Sequence, residues 1–280
     1  GDVVLLTVPG YPVLGTPGKY LGGEVVKVPL KQEHGFFPDL KAIDPAVAQR
    51  AKLFYVNYPN NPTGTAPTAA FFDQLIAFAR QHHILIVQDA AYATLVYGRE
   101  RLSILGRPGG KEVAIELHSM SKSYNMTGWR LGFVAGAQRA VQAFAEVKDN
   151  CDSGQFKAIQ HAACAGIADI HLSESIREHY RRRLVKLVAL LKRIGFDAHM
   201  TGGTFFLYTK APVGAGDTRF AAAEDASQYL IREWSVSTVP WDDVGSFLRF
   251  SSTFEAKDEK DEDRVLAELE DRLRKAALKF

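Results

Sequence analysis

The fold is decided by the stretch Leu117-His118-Ser119-Met120-Ser121-Lys122-Ser123-Tyr124-Asn125-Met126-Thr127-Gly128-Trp129-Arg130-Leu131-Gly132. An apolar, strand-like run ends at Leu117, and a second apolar run begins at Leu131. The polar turn between them contains Ser119, Lys122 and Arg130. A lysine in a tight turn between two buried strands is desolvated, which lowers the pKa of its amine and makes it reactive. The stretch therefore predicts a reactive amine at the end of a buried strand.

Strands and helices alternate along the first half of the chain. Apolar, strand-like runs cover residues 2–8, 25–30, 52–57 and 84–87. The last of these is continuously apolar, which is typical of a strand buried on both faces of a parallel sheet. Helices are expected at 40–51, after Asp39, and from Thr68 as N-cap to about His82. This alternation predicts an α/β fold.

The second half of the chain is mostly helical. Helical patterns cover 137–150, 155–170 and 173–194, and Gly195 is the expected C-cap of the last. Short strands near 198–200, 205–209 and 248–252, a helix at 222–234 and a final helix from Asp258 follow. We therefore expect a large domain over 1–172 and a smaller α+β C-terminal domain over 173–280, which the long helix enters.

Composition excludes several classes of function. The 280 residues are 46% hydrophobic and 24% charged, and the net charge is +2. These values are ordinary for a soluble globular protein and give no reason to expect nucleic acid or a membrane as partner. No apolar run approaches the ~20 residues that span a bilayer. Two cysteines, Cys151 and Cys164, favour reduced thiols in the cytoplasm, and the histidines show no metal-binding motif.

Four polar loops follow predicted strands, and they contain the candidate site residues. The loops cover 9–11, 60–64, 89–92 and 119–130. In an open parallel sheet, ligands collect at the carboxyl ends of the strands, so the four loops are expected to converge on one site. Each residue alone has a simpler explanation. Asp89 and Asn61 are common turn residues, Tyr92 could simply pack, and Arg249 could face solvent from a strand.

The Ser-x-x-Lys pattern formed by Ser119 and Lys122 has a second enzymatic meaning. The same spacing carries the serine nucleophile of penicillin-binding proteins and class A β-lactamases. Those enzymes also carry Ser-Asp-Asn and Lys-Thr-Gly further along the chain, and neither tripeptide occurs in this sequence. The serine-nucleophile interpretation is therefore rejected.

Taken together and in order, the motifs resemble the class I/II aminotransferases of fold type I, over essentially the whole chain. The resemblance implies a mostly parallel sheet of the seven-stranded type flanked by helices, and pyridoxal 5′-phosphate (PLP) as cofactor. It implies that Lys122 forms the aldimine with PLP and shuttles the proton. Asp89 matches the partner of the pyridine nitrogen. Asn61, in Asn-Asn-Pro-Thr-Gly, and Tyr92 match the pair that hydrogen-bonds the ring O3′.

The same resemblance assigns the remaining candidate residues. Ser119 and Arg130 match groups that bind the cofactor phosphate, and Tyr11, in Pro-Gly-Tyr-Pro, matches an aromatic residue that stacks on the ring. Arg249 matches the arginine that binds the substrate α-carboxylate, since a guanidinium recognises a carboxylate through two hydrogen bonds. Asn61 is expected to lie beside the substrate as well as the cofactor.

Three segments look most like LL-diaminopimelate aminotransferases within that family, namely residues 121–130, 152–156 and 237–241. This finer resemblance implies transamination between LL-2,6-diaminopimelate and 2-oxoglutarate, and the family as a whole implies a homodimer. Three alternatives remain open. They are an alanine, aspartate or aromatic aminotransferase, a PLP-dependent β-lyase, and a non-catalytic fragment that keeps the fold.

The chain begins inside a strand-like run, at residues 2–8. The family carries an N-terminal arm, a phosphate-binding turn and a tyrosine that reaches the partner subunit's cofactor before this point. We therefore expect the large domain to lack its N-terminal part.

Overall fold

The computed structural model describes all 280 residues except the side chain of Leu14. The strands are β1 (Val3–Val8), β2 (Glu24–Pro29), β3 (Ala51–Asn57), β4 (Leu85–Asp89), β5 (Ala114–Ser119), β6 (Gly132–Gly136), β7 (Phe206–Lys210), β8 (Gly214–Ala215), β9 (Thr218–Arg219), β10 (Val239–Trp241), β11 (Phe247–Ser251) and β12 (Leu278–Lys279). The helices are α1 (Gly15–Tyr20), α2 (Pro45–Arg50), α3 (Ala69–His82), α4 (Gly110–Val113), α5 (Met120–Ser123), α6 (Gln138–Asp149), α7 (Lys157–Ala168), α8 (Ile170–Ile194), α9 (Ala223–Trp234) and α10 (Glu259–Lys275).

The main sheet has six strands in the order β2-β1-β3-β4-β5-β6. Strands β1 to β5 are parallel, and β6 runs antiparallel to β5. The predicted mostly parallel α/β architecture is confirmed, with six strands rather than the expected seven. Because the parallel strands share one direction, their carboxyl ends lie along a single edge of the sheet.

Successive residues of the central strands bury opposite faces of this sheet, as the alternation of a strand requires. On one face, Phe54 of β3 and Ile86 of β4 pack in a core with the apolar side of α3. On the other face, Tyr55 of β3 and Val87 of β4 pack in a second core that includes residues of α6. Both faces of the sheet are therefore covered, which explains the continuously apolar run in β4.

Helix α3 begins where the sequence predicts. The Thr68 hydroxyl accepts a hydrogen bond from the Phe71 amide at 3.1 Å, so Thr68 is the N-cap. The helix ends at His82, and His83 follows in the left-handed conformation with φ of 56°. The buried side chains of this helix are Phe71, Phe72, Leu75, Ile76 and Ala79.

The single helix predicted at 40–51 is wrong. A 3-10 turn covers Leu40–Ala42 with Asp39 as its cap, and α2 begins only at Pro45, where the Asp44 carboxylate accepts from the Ala46 amide at 2.8 Å. Proline disfavours the α conformation in the residue before it, so the chain leaves the helical region at Asp44 and starts again. The strand predicted near 198–200 is also wrong, because those residues form a loop.

The second half of the chain builds a different core. Helix α8 begins at Ile170, three residues before the expected start, and Gly195 ends it in the left-handed conformation as predicted. Its apolar face packs against the antiparallel sheet of order β10-β11-β7. Strands β8, β9 and β12 form a second small sheet. Tyr92 and Leu95, from the loop after β4, are part of this C-terminal core. The division into domains at residue 172 stays a prediction.

Among the described residues, no helix combines the length and the apolarity that crossing a bilayer requires.

Candidate active site

The structure brings the predicted loops to one edge of the main sheet. Tyr11 follows β1, Asn61 follows β3, Tyr92 follows β4 and Lys122 follows β5, each at the carboxyl end of a parallel strand. Arg249 reaches the same place from β11 of the small antiparallel sheet. The site thus lies between the main sheet and the C-terminal half of the chain.

Asp89 ends β4 with both carboxylate oxygens engaged. The Tyr55 hydroxyl donates to Oδ2 at 2.7 Å, and the Ala91 amide donates to Oδ1 at 3.1 Å. Burial raises the pKa of the Asp89 carboxyl above its usual value, while these two hydrogen bonds and the nearby His118 and Lys122 act to lower it. Asp89 is therefore a partly buried acid that specific donors stabilise in its charged form.

Asn57 connects Asp89 to the loop after β3, which contains Asn61. The Asn57 side chain donates to the Asp89 carbonyl at 2.9 Å and accepts from the Asn61 amide at 2.8 Å. Further along the loop, Gly64 has a positive φ of 71°, and a Cβ on it would overlap the Thr201 side chain. Only glycine fits this position without strain, because both the conformation and the space exclude a side chain.

Arg249 contacts this loop through one edge of its guanidinium. Nη1 donates to Asn61 Oδ1 at 2.7 Å, and the guanidinium carbon lies 3.9 Å from the centre of the Phe206 ring. Burial lowers the pKa of Arg249, and Tyr92 acts in the opposite direction. Within the part of the chain that the structure describes, the buried Nε has no acceptor. The Nε and Nη2 edge can therefore receive both oxygens of a carboxylate.

Lys122 lies in the short helix α5, directly after β5. Ser119 caps this helix, because its hydroxyl accepts from the Ser121 amide at 3.2 Å. Burial lowers the pKa of the Lys122 amine, the charge of Arg130 lowers it further, and Asp89 opposes both. Among the described side chains, Lys122 forms no salt bridge. A larger share of this amine is therefore unprotonated and nucleophilic near neutral pH than in a solvated lysine.

Arg130, Tyr92 and Tyr11 complete the predicted set. Arg130 is exposed, has a positive φ of 53° and donates through Nη1 to the Thr127 carbonyl at 3.0 Å. Tyr92 packs edge-on against Phe205 at 5.4 Å, and burial raises the pKa of its phenol. Tyr11 is 51% exposed, and it lies near enough to Tyr92 to raise the pKa of that phenol slightly.

Sequence reasoning missed three residues of this site. Tyr55 and Asn57 lie at alternate positions of β3 and both hold Asp89, and Phe206 lies beneath Arg249. A polar residue at every second position near the end of an apolar strand is the signal that could have identified the first two. Phe206 carries no comparable signal, because buried aromatic residues are common in any core.

Comparison with known proteins places the chain in a family. A family model described as aminotransferase class I and II matches residues 1–267. With the parallel sheet and a lysine, a carboxylate and an arginine at its carboxyl edge, the chain belongs to the class I and II aminotransferases. The substrates of such enzymes are amino acids and 2-oxo acids.

Three relatives illustrate the similarity. The LL-diaminopimelate aminotransferase of Methanocaldococcus jannaschii is 49% identical over 288 residues, and that of Methanococcus maripaludis is 50% identical over 286 residues. Each alignment covers 100% of this chain and 69% of the relative. A substrate-bound BacF structure from Bacillus subtilis is 33% identical with a TM-score of 0.91, and the match covers 100% of this chain and 70% of that one.

Proposed function

We propose that the protein is a PLP-dependent aminotransferase that exchanges an amino group between LL-2,6-diaminopimelate and 2-oxoglutarate. The observation that carries the reaction type is the grouping of Lys122, Asp89 and the Arg249–Asn61 pair at one edge of the sheet. The choice of substrate rests on the two relatives of 49% and 50% identity, which are named LL-diaminopimelate aminotransferases.

The residues at this edge fit PLP by their chemistry. A pyridine nitrogen requires a carboxyl group whose oxygens are oriented by donors, which describes Asp89, and an aldehyde requires an amine of lowered pKa, which describes Lys122. Arg130 and Ser119 supply a cation and a hydroxyl for the phosphate, and Asn61 and Tyr92 supply hydrogen bonds for the ring oxygen. When bound, PLP supplies an electron sink that stabilises negative charge on the substrate α-carbon.

Each residue of the chain then has one task. Arg249 binds the α-carboxylate of the amino acid through its free Nε and Nη2 edge, and Asn61 fixes the guanidinium from the other side. Lys122 Nζ would accept the proton from the substrate α-carbon and carry it during the exchange, because burial favours the neutral amine. Asp89 would hold the ring nitrogen of the cofactor, and Tyr11 would pack on its ring.

An absorption spectrum of the purified chain with added PLP tests this assignment. We expect a visible or near-ultraviolet band that depends on Lys122, disappears in Lys122→Ala and remains in Lys111→Ala, since Lys111 is exposed and outside the site. The band should bleach on addition of LL-2,6-diaminopimelate and recover with 2-oxoglutarate. A band that survives in Lys122→Ala would disprove the assignment of the lysine.

A donor screen separates the proposed reaction from its alternatives. Bleaching by alanine, aspartate or an aromatic amino acid, but not by LL-2,6-diaminopimelate, would replace the substrate and keep the reaction. Release of ammonia and a 2-oxo acid from a cysteine conjugate, without a second 2-oxo acid, would indicate a β-lyase. Absence of any band would favour a fragment that keeps the fold without the activity.

The proposal includes a homodimer in the cytoplasm. Both Cys151 and Cys164 are free and exposed, which fits a reducing compartment. Large apolar side chains are exposed on α6, α7 and the chain around them, which is typical of a surface that a partner covers. They are Phe144, Val147, Phe156, Ile167 and Ile170. Sedimentation of the chain at several concentrations tests the dimer, and a monomer at all of them would contradict it.

A further inference from the structure

We propose that Tyr55 is a positioning residue of this site, whose hydroxyl orients the Asp89 carboxylate and holds it in the charged form that the cofactor nitrogen requires. The inference rests on the proposed function, because it assigns Tyr55 a task toward a group that PLP would engage. Tyr55 is not one of the residues that the sequence motifs identify.

The register of the sheet places the two side chains together. Tyr55 of β3 lies opposite Val87 of β4, and Asn57 lies opposite Asp89. Tyr55 and Asp89 therefore face the same side of the sheet, two residues apart, and the tyrosine ring spans that offset. Its hydroxyl donates to Asp89 Oδ2 at 2.7 Å. With only 3% of Tyr55 exposed, the ring has no room to turn away.

The direction of the hydrogen bond follows from burial. Burial and the neighbouring Asp89 raise the pKa of the Tyr55 phenol far above its usual value, so the hydroxyl keeps its proton and donates it. The Ala91 amide already donates to the other carboxylate oxygen. A charged carboxylate oxygen accepts a hydrogen bond more strongly than an oxygen of the neutral acid, so both contacts favour the anion. Each oxygen keeps a further lone pair that can accept from a ring nitrogen.

Two titratable neighbours face Asp89 from other elements, and neither replaces Tyr55. His118 on β5 and Lys122 on α5 both act to lower the pKa of Asp89, without a hydrogen bond to it among the described residues. The His118 ring instead contacts Glu116 Oε2 at 2.9 Å. Loss of the Tyr55 hydroxyl therefore leaves these neighbours in place and removes one of only two direct donors to the carboxylate.

The test compares Tyr55→Phe with a matched control. Tyr58→Phe also removes a buried tyrosine hydroxyl from the same segment, one that donates to the Phe36 carbonyl at 2.8 Å and does not touch Asp89. At pH 8 we expect Tyr55→Phe to bind PLP about tenfold more weakly than the wild type, since one hydrogen bond to a charged carboxylate typically contributes about a factor of ten or more. In an Asp89→Asn background the same change should have no effect on the PLP dissociation constant.

A second readout needs no cofactor. Without the Tyr55 donor the pKa of Asp89 rises further, and an acid of raised pKa costs stability above that pKa. The equilibrium constant for urea unfolding should therefore increase more at pH 8 than at pH 4.5 in Tyr55→Phe, by roughly tenfold. Tyr58→Phe should shift it equally at both pH values. His118 and Lys122 are present in every variant, so their contribution cancels in the comparison.

The outcomes separate this inference from the proposed function. If Tyr55→Phe matches Tyr58→Phe in both readouts, or keeps its full effect in Asp89→Asn, Tyr55 is only a packing residue and the inference is overturned. If the wild type gives no PLP band that depends on Lys122, the proposed function fails. The cofactor-free comparison then still decides whether Tyr55 controls the charge of Asp89.

Discussion

Replacing Arg249 by lysine is expected to lower kcat/KM for an amino-acid donor by about a hundredfold. The lysine keeps the positive charge but lacks the two parallel N–H donors of the guanidinium. One of the two charge-assisted hydrogen bonds to the α-carboxylate therefore disappears, at a cost of about 1.5–3 kcal/mol. Every 1.36 kcal/mol is a factor of ten in rate, so the upper part of this range corresponds to about a hundredfold.

The assay compares two donors that differ in one group. Wild type, Arg249→Lys and the control Arg219→Lys are each given an amino acid and the primary amine that lacks its carboxylate. Arg219 is exposed on β9, so its replacement should change neither rate. For Arg249→Lys we expect the loss with the amino acid alone, because the amine makes no contact that the arginine supplies.

An equal loss with both donors would refute the reasoning. It would mean that Arg249 acts on the cofactor or on the fold and not on the carboxylate. Urea unfolding separates these two cases. The aliphatic part of a lysine still packs beside Phe206, and only the hydrogen bond to Asn61 Oδ1 at 2.7 Å is lost, so the free energy of unfolding should fall by no more than about 1 kcal/mol.

Three further changes test the structure around the site. Glu262→Gln should destabilise the chain by about 3 kcal/mol in urea unfolding at pH 7, since it leaves the buried Arg183 without its anion. Burial alone would raise the pKa of Glu262, yet the arginine hydrogen bonds lower it, so wild-type stability should fall as the pH drops through that lowered value, and the variant should lack this fall. Gly64→Ala should cost about 2 kcal/mol or more and weaken PLP binding, because the new methyl group meets Thr201. Thr68→Ala should cost about 1 kcal/mol in urea unfolding through the lost cap of α3, and unchanged stability would contradict the cap.

The parts of the fold that could be predicted are those with local signals. Thr68 and Gly195 mark the ends of their helices through their own conformational preferences, and the structure confirms both. The helix at 40–51 failed because apolar spacing was followed across Pro45, which prevents the residue before it from being helical. The strand near 198–200 failed for a different reason, since a strand needs a partner and the isolated bridge in this region forms later, between Gly203 and Val96.

The site residues also differ in whether a local sequence signal identifies them. Lys122, Asp89 and Asn61 belong to short motifs that follow strands, so their loops could be placed at one edge from the order of elements alone. Arg249 is separated from Asn61 by 188 residues, and only the family resemblance connected them before the structure did. Neither the short motifs nor the family resemblance identified Tyr55. Its task depends on which residue of β4 lies diagonally opposite, and the register between two strands cannot be read from the sequence of one.

The need for Tyr55 follows from the opposite charge states that Lys122 and Asp89 require in one buried site. The same desolvation that lowers the pKa of Lys122 also raises the pKa of Asp89, so burial alone would leave both groups neutral. The proposed reaction needs a neutral amine and an ionised acid side by side. Lys122 therefore needs no hydrogen-bond partner, whereas Asp89 needs donors to resist burial, and Tyr55 and the Ala91 amide are those donors. An acid in such a site requires support from a neighbouring strand, and Tyr55 on β3 provides it.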